Sequence, residues 1–524
     1  MSRKEPANTS TAGQPFFSRL MQATPRTIMT VVLMIATLIR MPLLTRTSLW
    51  YDEAASWEQS RGTLAELIAK VAADNYPPLH NLILWLFIHL FGDSERILRL
   101  PSLLAGVLAI WLLYRLGEEI AGSATGMCAA ALLAISPFHV WYSGEARMYA
   151  LFCALGLAVM LALVRYLKRP DTAGFIRSAV LGGLFLCTHI YAAFGLAGAA
   201  TGLAVFAILP ASSSALSRKT VFKALAALAV SALLFTPWAL VLFGRAETVV
   251  YDGFWIAYPS ADMLRTMARE IAGNSQIFWL LVALAGIGLL LTLFRRRPST
   301  ASPATIKWLL PPLVGFTIAP VLIGYALSIT LRPILFDRYL IAAFPGLLLL
   351  ACLGARSLLP RGGALALIAV VLSLAAAPLD QVVLDKLKPQ FREAAFVYFR
   401  ESQTAVSDGR LQPLYVYNHE SALALSYYLE DLTDIRTLDS LKIPRTEDPQ
   451  QKIWLVASHL NKSEWQGLTS AAPDGYAETF RWQGFGWGAG GITLLRFEDL
   501  APSAAPTHDL SVTSHPAGSN NPPD

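Results

Sequence analysis

Long apolar runs dominate this chain and restrict the folds open to it. Of its 524 residues, 54% are hydrophobic and 15% are charged, whereas soluble globular proteins carry about 25% charged residues. Runs long enough to cross roughly 30 Å of hydrocarbon recur between Ile28 and Leu379. Because backbone polar groups cannot stay unpaired in lipid, such runs must form helices. The sequence therefore predicts an α-helical, multi-pass membrane protein.

Eleven of these runs are predicted to be membrane spans. The stretch from Ile176 to Leu209 is interpreted as two spans with an outer turn near His189, because basic residues flank both of its ends. The run Leu79–Phe91 is too short to cross, so it is interpreted as an interfacial or re-entrant helix. The predicted spans are Ile28–Leu44, Pro101–Leu116, Ala124–Trp141, Met148–Leu167, Ile176–Thr188, Ile190–Leu209, Ala224–Phe243, Ile277–Phe294, Trp308–Leu331, Tyr339–Leu359 and Ala364–Leu379.

Basic clusters between the spans predict the orientation. Lys168-Arg169, Arg218-Lys219 and Arg295-Arg296-Arg297 all fall on one side if Leu79–Phe91 does not cross, and positively charged loops stay in the cytoplasm. The tail 1–27 is then cytoplasmic and the long loop 45–100 lies outside. We expect a protein of the plasma (inner) membrane. The net charge of +6 is explained by these orientation clusters and does not indicate a nucleic-acid partner.

The composition changes after Leu379, where the predicted transmembrane domain 28–379 ends. Short apolar runs predict strands, and two segments with helical periodicity predict helices. We therefore predict a small α/β domain over 380–500, and the eleven predicted spans, which start from a cytoplasmic tail, place it outside the cell. The stretch 501–524 is rich in Pro, Ser, Thr and Asn and is predicted to be a disordered tail. The predicted strands are Leu414–Tyr417, Ile453–Ala457 and Gly491–Phe497, and the helices are Phe391–Arg400 and the segment around Tyr427-Tyr428.

Two adjacent carboxylates, Asp52 and Glu53, follow the first span. Neighbouring Trp50, Tyr51 and Trp57 are typical of a membrane–water interface. Acids at this position can also serve only as a solvated helix N-terminus. Further polar motifs in the outer loops favour a chemical role, and these are Tyr76-Pro77-Pro78-Leu79-His80, Glu145-Ala146-Arg147-Met148-Tyr149 and Asp337-Arg338-Tyr339-Leu340.

Together with Ser136-Pro137-Phe138-His139, these motifs resemble the GT-C glycosyltransferases. The resemblance is to the family 39-like branch that contains the protein O-mannosyltransferases and the aminoarabinose transferase of lipid A. It implies a GT-C fold over about Ile28 to Leu379 and inverting transfer of a hexose or pentose from a polyprenyl-phosphate-linked donor. The acceptor would be a lipid, a glycan or a protein at the outer face. The resemblance implies no cofactor, and it makes the first-loop aspartate, Asp52, the group that acts on the acceptor.

The residue types suit this chemistry. A carboxylate can take the proton of an attacking acceptor hydroxyl, and the phosphate leaves already ionised, so one base suffices. Asp52 is the predicted base, with Glu53 as the second acid of the catalytic site. Guanidinium groups match phosphate geometry, so the predicted phosphate ligands are Arg338, Arg147 and Arg40. The predicted supporting residues are Glu145, Tyr76, His80 and Tyr339.

Simpler roles for the arginines stay open at this point. Arg40 could snorkel at a helix end, Arg147 could pair with Glu145, and Arg338 could pair with Asp337. Ser56 and Tyr76 stand where the lipid A branch has a phosphate-binding arginine and lysine, which argues against aminoarabinose as the sugar.

No metal site is predicted, because His80, His139 and His189 lack the spacing of metal ligands. The alternative class is a polytopic transporter or flippase. Transporters carry internal repeats, and no repeat is evident in this sequence. The sugar and the acceptor cannot be read from the sequence.

Overall fold

The computed structural model of the chain describes residues 24–74, 76–208, 216–245, 256–294, 303–360, 362–384, 388–402, 411–430, 432–444, 452–484 and 491–499. It forms two compact units, Met1–Phe391 and Arg392–Asp524. The predicted tail 501–524, most of the N-terminal tail and the Arg295-Arg296-Arg297 cluster lie outside the described residues.

The first unit is helical in its described part. Two short 3-10 helices, Met41–Leu44 and Asp337–Leu340, interrupt the α-helices. The α-helices are α1 Pro25–Arg40, α2 Tyr51–Ser60, α3 Leu64–Ala72, α4 Leu79–Phe91, α5 Glu95–Ala121, α6 Ser123–Ile135, α7 Pro137–Ser143, α8 Tyr149–Lys168, α9 Thr172–Leu186, α10 Tyr191–Ile208, α11 Arg218–Gly244, α12 Ala261–Ala272, α13 Ser275–Phe294, α14 Pro303–Thr330, α15 Phe344–Leu358 and α16 Gly363–Leu384.

Most predicted spans coincide with helices that are long and apolar enough to cross a membrane. Among the described residues there are seven such helices: α1 with the turn after it, α5, α8, α11, α13, α14 and α16. An eighth span results if α6 and α7, which meet at a 65° bend, are counted together. The other three predicted spans coincide with the shorter apolar helices α9, α10 and α15. The multi-pass helical fold is confirmed, and the predicted count of eleven requires these three short helices.

Close packing of α10 against α14 depends on glycine. A Cβ atom on Gly198 would collide with the backbone carbonyl of Gly315, and a Cβ atom on Gly315 would collide with that of Gly198. Small residues let membrane helices approach this closely, so that van der Waals contact holds them together. At the start of α10, the Tyr191 hydroxyl donates to the carbonyl of Ile334 at 2.7 Å. This bond fixes the segment that leads into the 3-10 helix Asp337–Leu340.

The second unit contains a five-stranded sheet with strand order β2-β1-β3-β5-β4. Strands β2 and β1 and strands β1 and β3 are parallel, whereas β5 is antiparallel to both of its neighbours. All six residues of the central strand β3 are buried. The strands are β1 Leu414–Tyr417, β2 Ile435–Leu438, β3 Ile453–Ser458, β4 Tyr476–Gln483 and β5 Ile492–Asp499, and the helices are α17 Phe391–Ser402, α18 His419–Leu429 and α19 Lys462–Gln466.

The small α/β domain is confirmed, with two strands more than predicted. The additional strands β2 and β4 lie at the two edges of the sheet. They carry charged residues such as Arg436, Glu478 and Arg481, which is how natural proteins protect sheet edges from further pairing. A search for apolar runs therefore finds the central strands and overlooks the edges.

Candidate active site

The first turn of α2 carries both adjacent acids, Asp52 and Glu53. Successive residues of a helix diverge by about 100°, so the two carboxylates reach different neighbours. Asp52 Oδ2 accepts a hydrogen bond from Nη1 of Arg338 at 3.1 Å. Glu53 accepts from Nε and Nη2 of Arg99, both at 2.8 Å. One acid therefore faces the predicted phosphate ligand, and the other faces the protein interior.

Glu53 is fully buried in a network of charges. Besides Arg99, its partners are the backbone N–H of Ala146 at 2.9 Å and the ammonium of Lys388 at 3.0 Å. Burial raises the pKa of Glu53, but Arg99 and Lys388 together lower this pKa to about 2. The carboxylate is thus ionised and surrounded by protein donors. These contacts support a structural role for Glu53 instead of the catalytic role that we predicted.

Arg99 and Lys388 belong to this network, although the sequence analysis singled out neither of them. Arg99 also donates to the carbonyls of Thr47 at 2.8 Å and Ser48 at 3.0 Å, so it fixes the loop that precedes α2. Its one sequence signal is a charge just before the predicted span that begins at Pro101. Lys388 follows the last membrane helix and is separated from Glu53 by 335 positions in the chain.

Glu145 lies in the turn between α7 and α8 and is 1% exposed. Its Oε1 lies 3.2 Å from the Lys388 ammonium, although neither carboxylate oxygen makes a hydrogen bond within the described part of the chain. Burial raises the pKa of Glu145, and Lys388 opposes that rise. The rings of Trp50 and Trp141 flank the ammonium, with centroids 5.6 Å and 5.4 Å away. Lys388 therefore links two buried acids inside an aromatic enclosure.

Arg338 is held among aromatic rings next to Asp52. Its guanidinium carbon lies 5.1 Å from the ring centroid of Phe336, 5.6 Å from that of Tyr149 and 6.0 Å from that of Trp50. Its side chain is only 11% exposed. Aromatic faces stabilise a cation that has lost part of its water.

Arg147 contacts the same turn of α2. Its Nη1 donates to the backbone carbonyl of Asp52 and to Oγ of Ser56, each at 3.3 Å. Its guanidinium carbon lies 5.1 Å from the ring centroid of Tyr76, whose hydroxyl is 3.3 Å from that of Tyr339. The structure thus brings together the predicted residues Asp52, Arg147, Tyr76 and Tyr339, with Arg338 paired to Asp52.

Two buried histidines line this cluster as neutral rings. Burial and then the positive charge of Arg147 lower the pKa of His80 and that of His189 to about 3. The His189 ring lies 4.7 Å from the ring of Tyr339, measured between centroids. Neither histidine adds a positive charge, so the cationic character comes from the arginines and from Lys388.

Arg40, a predicted phosphate ligand, has different partners. Helix α6 ends at Ile135, just before Pro137, and the carbonyls of its last turn lack a helical donor. Arg40 is fully buried and donates to one of them, the carbonyl of Ala134, at 3.0 Å. It also bonds Nδ1 of His139 at 2.9 Å and Oγ of Ser143 at 3.2 Å. These contacts connect α1 to the bent pair α6–α7 and occupy the donors of Arg40.

The helical membrane domain, the acid–arginine cluster in its loops and the small α/β domain define a GT-C type architecture. The chain matches the structure of ArnT from Cupriavidus metallidurans in the apo state with a TM-score of 0.58 at 12% identity, covering 89% of this chain and 97% of that chain. It matches the structure of the same protein bound to undecaprenyl phosphate with a TM-score of 0.54 at 12% identity, covering 92% and 98%. The predicted fold class is therefore confirmed.

The sequence comparison agrees with the fold. Residues 75–241 match the family model described as dolichyl-phosphate-mannose-protein mannosyltransferase. No curated protein matches the sequence. The matched segment contains Tyr76, Glu145 and Arg147 but neither Asp52 nor Arg338. The predicted resemblance to the GT-C glycosyltransferases, in the branch of the protein mannosyltransferases, is confirmed.

Proposed function

We propose that this chain is an inverting glycosyltransferase that moves a monosaccharide from a polyprenyl-phosphate-linked donor to an acceptor at the outer face of the membrane. The observation that carries the proposal is the pair of Asp52 and Arg338, 3.1 Å apart, with Arg147 on the same turn of α2. The donor class is supported by the ArnT structure with undecaprenyl phosphate and by the dolichyl-phosphate description of the matching family. The acceptor is a lipid, a glycan or a protein.

In this mechanism Asp52 is the base. Its carboxylate takes the proton of an acceptor hydroxyl while the hydroxyl oxygen attacks the anomeric carbon of the donor. The bond between that carbon and the phosphate oxygen breaks on the opposite face, which inverts the configuration. The phosphate departs as an anion and needs no proton. Arg338 and Arg147 offset its growing negative charge, and Arg338 does so from among aromatic rings where its side chain is only 11% exposed.

Ser56 suggests how the phosphate contacts differ from those of the lipid A branch. That branch has an arginine at this position, whereas Ser56 accepts a hydrogen bond from Arg147 here. A guanidinium thus reaches the same turn of α2 from a different segment of the chain. This replacement supports a phosphate role for Arg147, and we propose Arg338 and Arg147, without Arg40, as the ligands of the donor phosphate.

Arg338 can be tested with two substitutions. We expect Arg338→Ala to lower transfer by roughly 10²-fold or more, the usual effect of removing a group that stabilises transition-state charge. Arg338→Lys should restore only part of this loss, because an ammonium cannot bind phosphate in a bidentate manner. Transfer from a synthetic polyprenyl-phosphate sugar by the purified protein is the measurement.

Arg265→Ala is the matched control, because Arg265 is 76% exposed on α12 and its ion pair within the described part of the chain is with Asp262, which is 88% exposed. It should leave the rate unchanged. Wild-type activity of Arg338→Ala at equal protein concentration would remove Arg338 from the phosphate site.

The fold and family comparisons favour a transferase over the alternative of a transporter or flippase. The two classes also differ in one simple respect. In detergent solution there is no membrane barrier, so a flippase has no measurable product. A transferase still forms a new glycosidic bond there, and mass spectrometry of the acceptor detects the added sugar.

We also propose that the Asp52 cluster and the α/β domain face the outside of the plasma (inner) membrane. The test uses cysteines at exposed positions, Ala65→Cys on α3 and Lys462→Cys on α19, with Lys219→Cys for the opposite face. A membrane-impermeant maleimide should label the first two in intact spheroplasts and Lys219→Cys only after permeabilisation. The native Cys128, Cys153 and Cys352 are buried and Cys187 partly so, which keeps the background low. The reverse pattern would invert the proposed topology.

A further inference from the structure

A second polar site lies at the opposite end of the helical domain. The last turns of α5 and α8 and the first turns of α9 surround a cavity of about 420 Å³. Helix α8 has 20 residues and therefore runs about 30 Å from Tyr149, in the candidate active site, to this cavity. Five basic side chains line it, namely Arg115, Arg165, Lys168, Arg169 and Arg177.

The acidic residues of this basic pocket do not balance its cations. Its two acids are Glu119 and Asp171. Glu119 accepts from Lys168 at 2.6 Å and from Arg165 at 3.1 Å, while the Asp171 side chain caps the start of α9. Arg169 and Arg177 have no side-chain ion pair among the described residues, and both are exposed. Two guanidinium groups therefore remain available to an anion at the mouth of the pocket.

Apolar side chains lead from the basic pocket along the outside of the helices. On α9, Ile176, Val180 and Leu184 are exposed at four-residue intervals. On α5, Leu108 and Trp111 are exposed in the turns before Arg115. Residues at this spacing lie on one face of a helix. The pocket thus combines a cationic end with two apolar stripes, which is the pattern of a phospholipid headgroup above its acyl chains.

We propose that the basic pocket binds the phosphate of an anionic membrane lipid, with Arg169 and Arg177 as its principal ligands. Guanidinium groups bind phosphate oxygens in a bidentate manner, and basic pockets between membrane helices on the cytoplasmic side bind anionic headgroups. The positive-inside orientation predicted from the sequence places the pocket in that leaflet. The site is independent of sugar transfer, since Arg169 follows the far end of α8 and Arg177 lies in the adjoining first turns of α9.

Native mass spectrometry of the full chain in detergent tests the proposal, with cardiolipin, phosphatidylglycerol and phosphatidylcholine added at equal concentrations. The wild-type protein should retain the two anionic lipids in preference to phosphatidylcholine. Arg169→Ala with Arg177→Ala should weaken that binding roughly 25-fold, because each cation near an anionic lipid contributes about fivefold. Replacing both arginines with lysine should keep only part of it, because an ammonium cannot bind phosphate in a bidentate manner.

Arg218→Ala with Lys219→Ala is the matched control, since it removes the same charge from exposed positions on the same predicted side, outside the pocket. Equal loss of lipid in both double variants, or no preference of the wild-type protein for anionic lipids, would overturn the proposal. Competition with inorganic phosphate at millimolar concentration distinguishes a lipid headgroup from free phosphate as the ligand. Failure to displace the lipid supports a headgroup site. Displacement by free phosphate, lost in the Arg169/Arg177 variant, would overturn the lipid assignment and leave a soluble phosphate as the ligand.

Discussion

Asp52→Asn is expected to reduce sugar transfer by about 10²- to 10⁴-fold, the range seen when a general base is removed. Asparagine keeps the shape of aspartate, and its amide oxygen can still accept the hydrogen bond from Arg338. The proton of the acceptor hydroxyl, however, no longer has a carboxylate to receive it. Initial rates with the purified variant, measured beside its affinity for polyprenyl phosphate, separate loss of chemistry from loss of donor binding.

Asp262→Asn provides the control for Asp52→Asn, because Asp262 is 88% exposed and lies at the start of α12. Its rate should equal that of the wild-type protein. The assignment of Asp52 as base fails if Asp52→Asn turns over at a near-normal rate, or if its lower rate is explained entirely by weaker donor binding.

Glu53→Gln is expected to destabilise the protein, which is a different outcome from that of its neighbour. Glutamine would leave the cations Arg99 and Lys388 buried without their shared carboxylate. Breaking a buried ion pair in this way costs about 3–5 kcal/mol. Thermal unfolding in detergent should show the loss, and any folded fraction should retain transfer. Glu58→Gln on the same helix breaks only partly exposed pairs with Arg61 and Lys70, so it should cost no more than about 1 kcal/mol.

A double variant tests the same charge network through Lys388. Lys388→Met added to Glu53→Gln removes one of the two cations that lose the Glu53 carboxylate. The double variant should therefore be less destabilised than the sum of the two single variants, because residues of one charge network are coupled. Additive losses would show that Lys388 and Glu53 act independently. A stable Glu53→Gln protein without transfer activity would return Glu53 to the catalytic role that we first predicted.

The sequence was sufficient for those features that depend on local pattern. Apolar runs located the membrane helices, and their order with the polar loop motifs indicated the fold family. The acid–arginine cluster was also accessible, because Asp52, Arg147 and Arg338 each stand in a recognisable motif at the end of a span. The number of predicted spans between these motifs then predicted that they share one face of the membrane.

Other features depend on geometry that no local pattern contains. Lys388 stands in a short polar connection, and nothing near it in the sequence indicates that it meets Glu53 from 335 positions away. Arg40 was predicted to be a phosphate ligand because it lies near the outer end of the first predicted span. Its actual partners exist because α6 and α7 meet at a 65° bend, and the direction of such a bend cannot be deduced from Pro137 alone.

The position of Lys388 also has a consequence for where this protein can be divided. The last membrane helix ends at Leu384, yet the first compact unit continues to Phe391. Within that extension, Lys388 pairs with two buried acids, and the carbonyl of Pro389 accepts a hydrogen bond from Ser48 at 3.0 Å. A chain truncated at the end of its last transmembrane helix would keep every span and lose an internal countercharge. A fragment that keeps the internal ion pairs of the membrane unit must therefore extend beyond the last hydrophobic segment to include Lys388.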